Sequence, residues 1–318
     1  MVNIGMPGIR SLLTSKFIAV GFCRVSNRAK FSTSQNLMST PTIPKFETLN
    51  VSLPKPWVYH VELNRPEKLN AMSSIMWNEM QQCFEGLNNN ADCRVILLSG
   101  SGKIFCSGID LQSFMELGQK FNPADDIARK SKIVYNYIRS FQDSISSLEK
   151  CMKPVICAVH NGCIGGAIDL ITSADIRNCS KDAWFQIKEV DIGMAADVGT
   201  LQRFPKIIGS ASLARELIFT GRKFTANEAK EWGLVSQIYD TKETLLENSL
   251  NLAENIAKKS PVAVQMAKKS LIYSRDHSVD EGLEHIALIN QTMLQSEDLQ
   301  KAVVASLTKD DSITYSKL

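Results

Sequence analysis

Three carboxylic acids, Asp169, Glu189 and Asp197, sit in a stretch otherwise dominated by Ile, Ala, Val, Phe and Met, just after the glycine-rich turn Asn161-Gly162-Cys163-Ile164-Gly165-Gly166. Apolar surroundings make an ionised carboxylate costly unless it is paired or protonated, so acids placed there have tuned proton affinities. Any one of the three could be a surface acid or a helix cap; the three together, behind that turn, point to proton transfer. A helix beginning near Gly165 would leave the Gly166 N–H without an internal partner, at the positive end of the helix dipole and suited to an oxyanion. Asp169, three residues on, would emerge from the same side of that helix. A second candidate donor lies in Phe105-Cys106-Ser107-Gly108-Ile109-Asp110-Leu111, where Gly108 permits close approach of a ligand or another backbone and Asp110 could cap a helix starting at Leu111. Two amides converging from separate loops would polarise a carbonyl and hold an enolate. Phosphate binding fits less well, because the turn matches neither G-x-x-x-x-G-K-[ST] nor G-x-G-x-x-G.

Strands and helices must alternate to bring these groups together. Trp57 to Leu63 alternates as a half-buried strand, after a Pro- and Thr-containing linker over 40–55. Ile75, Met76, Met80, Cys83, Phe84 and Leu87 fall mostly on one face of a helix from Ser73 to about Asn88. Buried strands follow at Val95 to Leu98 and at Val155 to Val159, separated by a loop at 104–111 and a helix from about Asp125 to Lys150. A last strand is predicted at Leu234 to Tyr239, and helices follow it. This is α/β organisation with a helical appendage. Its apolar faces, with Val262, Val264, Leu271, Ile272, Ile286 and Leu288, suit either another subunit or the chain's own core.

The net charge of +3 is a property of the N-terminal segment, since residues 1–46 hold six basic residues and no acid; without those six the body stands at −3. Such a body has no broad electrostatic footprint for nucleic acid or an anionic membrane. The basic segment, with Ile9, Leu12, Leu13, Phe17, Ile18 and Val20 able to form one apolar face, reads as a mitochondrial presequence, with a processing site after Phe31. Its apolar run from Phe17 to Phe22 is too short to span a bilayer. The terminal Ser316-Lys317-Leu318 is a peroxisomal import signal when exposed. Import receptors of both organelles are therefore expected partners. The eight cysteines are dispersed and include no C-x-x-C pair, which suits reduced thiols, and the four histidines form no metal-ligand spacing.

Phe105 to Leu111, Pro154 to Asp169 and Lys188 to Gly199 closely resemble the enoyl-CoA hydratase/isomerase (crotonase) superfamily, over roughly residues 55–318. The resemblance implies an α/β spiral of β-β-α units over 47–253, behind a presequence and linker at 1–46, and a helical region at 254–318 that makes trimers, paired into hexamers. It implies an acyl-CoA thioester substrate and no cofactor beyond the CoA that the substrate carries. The implied oxyanion donors are the amides of Ser107 and Gly166, with Ser107, Gly108, Ile109, Asp110 and Leu111 lining the thioester and pantetheine. Backbone around Lys68 to Ala71, and Lys309 of a neighbouring subunit, are candidate contacts for the CoA nucleotide.

A hydratase of this superfamily would carry glutamates at both 169 and 189; here 169 is the shorter aspartate and a third acid stands at 197. That pattern is most similar to the branch that moves a proton from C2 to C6 of a 3,5-dienoyl-CoA, with Glu189 and Asp197 as the shuttling pair and Asp169 tuning Glu189. Which of the pair serves C2 stays open at this level. The competing readings are an enoyl-CoA hydratase or Δ3-Δ2-enoyl-CoA isomerase on the same scaffold and, from another class, a non-catalytic RNA-binding relative. The last would need a basic helical stripe, whereas Lys and Arg here are scattered among acids.

Overall fold

The computed structural model describes residues 45–113, 115, 126–310 and 312–318, so the presequence reading at 1–44 lies outside the described residues. The first described strand is β1 (Leu49–Lys55), inside the segment expected to be linker. Leu49 and Val51 are buried on one side of it, and it pairs antiparallel with β2 (Val58–Leu63). Pro54 disguises this strand in the sequence. As an edge strand, β1 tolerates a residue that cannot donate to a ladder. Trp57, expected to open β2, instead has φ 62° in the turn before it.

Helix α1 (Ser74–Asn88) starts where Ser73 accepts from the Met76 amide, and it buries Met76, Met80, Cys83, Phe84 and Leu87 as the periodicity predicts, while Ile75 in its first turn is exposed. Next come β3 (Val95–Gly100), α2 (Ile127–Lys150), capped by Asp126, and β4 (Val155–Val159). Half of the expected glycine turn is a short strand, β5 (Gly162–Ile164). It is followed by α3 (Gly166–Thr172), β6 (Ile176–Ser180) and β7 (Trp184–Gln186). Then α4 (Thr200–Ile208), α5 (Ala211–Thr220), β8 (Phe224–Thr225), α6 (Ala226–Glu231) and β9 (Gln237–Tyr239) complete the sheets. β9 is shorter than expected, because Leu234 and Val235 turn their amides to the Ala229 carbonyl at the end of α6.

The main sheet runs β1-β2-β3-β4-β6-β9, and every pairing in it after β1·β2 is parallel; β5, β7 and β8 form a second sheet. From β4 onward the chain crosses repeatedly between the two sheets, each crossing setting a turn or helix at their junction. Central strands of the main sheet are covered on both faces, which explains their unbroken apolar runs. Ile96 and Leu98 join the large core with α1 and α3, while Val95 and Leu97 face Leu245, Ala253 and Ala257 of α7 (Lys242–Ala257). Helix α7 therefore runs straight through the boundary expected at 253, and the sheet's covering layer ends near 257.

Beyond it lie α8 (Pro261–Ser274), α9 (Val279–Met293) and α10 (Glu297–Thr308). α8 is tied to the body by buried Lys268, whose ammonium meets Asp175 at 2.7 Å and the carbonyls of Leu148 and Lys153. On α9 and α10, Val279, Leu283, Leu288, Leu299, Val303, Val304 and Leu307 are exposed. At the chain's end Arg94 donates to the Tyr315 and Ser316 carbonyls, and Lys317 pairs with Asp92. The seven described cysteines are free and buried. Among the described residues no helix is long and apolar enough to cross a membrane.

Candidate active site

Gly165 (φ 54°) turns the chain out of β5, its amide held by the Gln186 carbonyl at 2.8 Å, so that α3 begins with Gly166 at the junction of the two sheets. The Gly166 N–H has no hydrogen-bond partner among the described residues, as expected for the first amide of a helix. The facing loop is stitched to β5: Cys106 N–H donates to the Gly162 carbonyl, and the Ile164 N–H donates back to that of Cys106. Gly108 follows with φ 89°, and a Cβ there would lie 2.6 Å from the Ile164 carbonyl oxygen and 3.3 Å from the Gly166 nitrogen. Only glycine allows the two loops to approach this closely.

The second donor is not the one expected. Ser107 N–H is already committed to the Leu69 carbonyl at 3.0 Å. Met72 takes up the next positions, donating to the Gly108 carbonyl at 2.8 Å and accepting from the Asp110 amide at 3.1 Å. These bonds turn the Ile109 N–H away from Met72, and it has no partner among the described residues. A Cβ built on Gly166 would sit 3.8 Å from the Ile109 nitrogen, so the free amides of Ile109 and Gly166 flank one spot. Nothing in the residue types distinguishes Ser107 from Ile109; the choice follows from which neighbouring carbonyl each amide meets.

That spot opens into a cavity of about 280 Å³. Ser107, Gly108, Ile109, Leu111, Gly165 and Gly166 line it, together with Glu189 and Asp197. Asp110, expected among the lining, is instead paired with Arg65 at 3.0 Å. Burial alone would raise the Asp110 pKa, but the Arg65 guanidinium and the Ser113 and Gln112 amides hold it below the ordinary carboxylate value. The rest of the wall is mostly apolar: Trp77 from α1, Phe141 from α2, and Ile164, Ile192, Met194 and Val198. Trp77 and Phe141 stack with centroids 4.5 Å apart. The helical period marks Trp77 as core, and a helical reading does not separate a core face from the wall of a cavity.

The three acids take two kinds of place. Glu189 and Asp197 face the shared cavity. Asp169 is fully buried outside that lining, with one carboxylate oxygen accepting from the Thr200 amide at 2.5 Å and the other unpartnered. Burial first, and the nearby charge of Glu189 second, push the Asp169 pKa up to about 7. Burial also raises Glu189, whose Oε2 is buried without a partner, while its own amide and that of Lys188 act in the opposite direction. Asp197 is raised by burial against the pull of its own amide. Two carboxyl groups of raised proton affinity beside two open amides, in an apolar chamber, can remove a proton next to a carbonyl and return one farther along a chain. Among the described residues no cluster of His, Cys, Asp or Glu is arranged to hold a metal.

Known proteins share this arrangement's scaffold. The profile of the enoyl-CoA hydratase/isomerase family matches residues 55–312. The chain is 50% identical over 277 residues to the mitochondrial Delta(3,5)-Delta(2,4)-dienoyl-CoA isomerase of Rattus norvegicus, covering 86% of this chain and 84% of that one. It is 46% identical to the peroxisomal enzyme of the same name from Arabidopsis thaliana, over 79% of this chain and 90% of the other. Among solved structures, the enoyl-CoA hydratase of Bacillus anthracis superposes with a TM-score of 0.76 at 27% identity, covering 85% of this chain and 99% of that one. Two sheets meeting at a glycine turn, a pair of open amides and this breadth of similarity lead to one assignment: the chain belongs to the enoyl-CoA hydratase/isomerase family.

Proposed function

We propose that the protein isomerises 3,5-dienoyl-CoA to 2,4-dienoyl-CoA, as the names of its relatives describe for them. The observation that carries the reading is the division of the acids: Glu189 and Asp197 share the cavity with the Ile109 and Gly166 amides, and Asp169 does not reach it. The thioester oxygen is held by those two amides. One carboxylate takes the C2 proton, and the electron pair spreads through the diene onto the thioester oxygen. The other acid, protonated, delivers its proton to C6 as the pair returns. Double bonds at C3 and C5 become double bonds at C2 and C4, and the two acids exchange protonation states. Desolvation and mutual repulsion keep one acid neutral while its neighbour is charged.

Asp169 sits behind Glu189 and feels its charge, and its Thr200 contact fixes the start of α4, so its part is to position this end of the site. A hydratase needs two acids on one water; with Asp169 enclosed, water addition loses its second group. The reaction uses no cofactor beyond the substrate's CoA. The exposed apolar faces of α9 and α10 serve a homotrimer, paired into a hexamer, and the two address segments direct the protein to mitochondria and peroxisomes through their import receptors.

The test is a side-by-side assay of 3,5-dienoyl-CoA isomerisation, followed as ultraviolet absorbance of the conjugated product, and crotonyl-CoA hydration. Isomerisation with little hydration is expected. Strong hydration without isomerisation would overturn the reading.

A further inference from the structure

Asp197 stands on a segment anchored by the buried side chains of Ala196 and Val198 but with few hydrogen bonds to fix its backbone. Between Gly193 (φ 77°) and Gly199 (φ 140°) there is neither helix nor strand, and glycines with positive φ at both ends would let the segment swing. Each end is tied to one of the other acids. The Met194 amide donates to the Glu189 carbonyl at 3.1 Å, and the Thr200 amide, just past Gly199, donates to the Asp169 carboxylate at 2.5 Å. Between these ends, one side chain among the described residues hydrogen-bonds to the backbone: Gln142, whose Nε2 donates to the carbonyl of Asp197 at 2.6 Å.

We propose that Gln142 is the positioning residue that sets where the Asp197 carboxylate stands in the cavity. The inference rests on the isomerase reading and adds a residue to it. Gln142 belongs to α2, a 24-residue helix whose Ser144, Ile145, Ser147 and Leu148 are buried, so its anchor is rigid. Arg139 donates to the Gln142 Oε1 at 2.6 Å, which fixes the amide's orientation and aims its N–H group at the carbonyl. The neighbouring Phe141 is part of the cavity wall, whereas Gln142 is not, so Gln142 acts on the acid without touching the acyl chain. Holding the Asp197 carbonyl, between the buried Ala196 and Val198, restricts the peptide orientation from which the carboxylate projects. In a reaction that moves a proton between two distant carbons, a misplacement of about 1 Å costs up to roughly a hundredfold in rate.

The consequence is specific to one half of the proton shuttle. Without Gln142, the end of the dienoyl chain served by Glu189 still exchanges its proton, because Glu189 and the two amides are untouched, while transfer at the end served by Asp197 fails. The experiment compares the full-length wild type with Gln142→Leu, which keeps the length and cannot donate, and Gln142→Glu, which keeps the shape and offers the carbonyl an ionised acceptor. Isomerisation is followed by absorbance. Deuterium uptake from heavy water is followed by mass spectrometry at C2 of the 3,5-dienoyl-CoA and at C6 of the 2,4-dienoyl-CoA.

Both variants are expected to lose about ten- to a hundredfold in kcat with little change in KM, while one of the two exchange reactions continues at the wild-type rate. Unchanged isomerisation, or loss of both exchange reactions in parallel with it, overturns the proposal. Should Gln142→Leu not fold, Gln142→Glu decides by the same readings. A wild type that does not isomerise the dienoyl thioester overturns the activity and this inference with it; an active wild type with unaffected variants overturns the inference alone.

Discussion

Among the three acids, Asp169 is fully buried and its carboxyl is pushed from the ordinary 3.8 to about 7. A carboxyl whose folded pKa is raised binds more protons in the folded chain than in the unfolded one throughout that interval. Its contribution is therefore present below pH 4 and is lost as pH rises toward 7. Three units correspond to roughly 4 kcal/mol of strain at pH 8. Asp169→Asn keeps an oxygen for the Thr200 amide and removes the buried charge. Urea denaturation should find this variant more stable than wild type at pH 8, with the difference shrinking toward pH 4; a pH-independent difference would contradict the account. The clustering of Asp169, Glu189 and Asp197 was legible from residue types alone, since acids within an apolar stretch need an explanation. Their division into a pair, Glu189 and Asp197, and a third acid came only from the family resemblance, because residue types do not say which way α3 turns Asp169 relative to the loop at 193–199.

The loop that carries the Ile109 amide is set by a polar knot beneath it. Asn70, buried and with φ 53°, donates to the carbonyls of Ser101, Ile104 and Phe105, and its own Oδ1 accepts from the Arg65 amide. Replacing it with alanine would strand buried carbonyls, each costing about 1–3 kcal/mol. It would also put a side chain less tolerant of left-handed backbone at that φ. Asn70→Ala should lower stability by at least about 3 kcal/mol, measured by chemical denaturation, and lower kcat as the Ile109 amide loses its place. Near-wild-type values for both would argue against the knot. Helices α1 and α2 were readable because each buries one face, and strands β3 and β4 because burial on both faces gives short unbroken apolar runs. β1 and β5 were hidden for physical reasons: β1 contains a proline that only an edge strand accommodates, and β5 is three residues long inside a glycine-rich turn. The same limit explains Ser107: a loop's free amide is decided by long-range partners such as Leu69 and Met72, and residue types do not encode it.

At the scale of the whole molecule, the main sheet and α7 form one folded body, while α9 and α10 leave a run of large apolar side chains uncovered. Exposed apolar side chains in this number suit the subunit interface proposed above. Light scattering should give a mass of three or six times 35.3 kDa, and Val304→Lys combined with Leu307→Lys should reduce it. An unaltered assembly would place the interface elsewhere. The proposed catalytic site lies at the junction of the two sheets, where the open amides and the two cavity acids line one cavity. The decisive measurement is turnover of 3,5-dienoyl-CoA by wild type, Glu189→Gln and Asp197→Asn, with CoA-ester binding determined in parallel. The expected result is an active wild type and a loss of at least about a hundredfold in kcat for each variant, with thioester affinity retained. Wild-type turnover in either variant would contradict proton transfer by this pair.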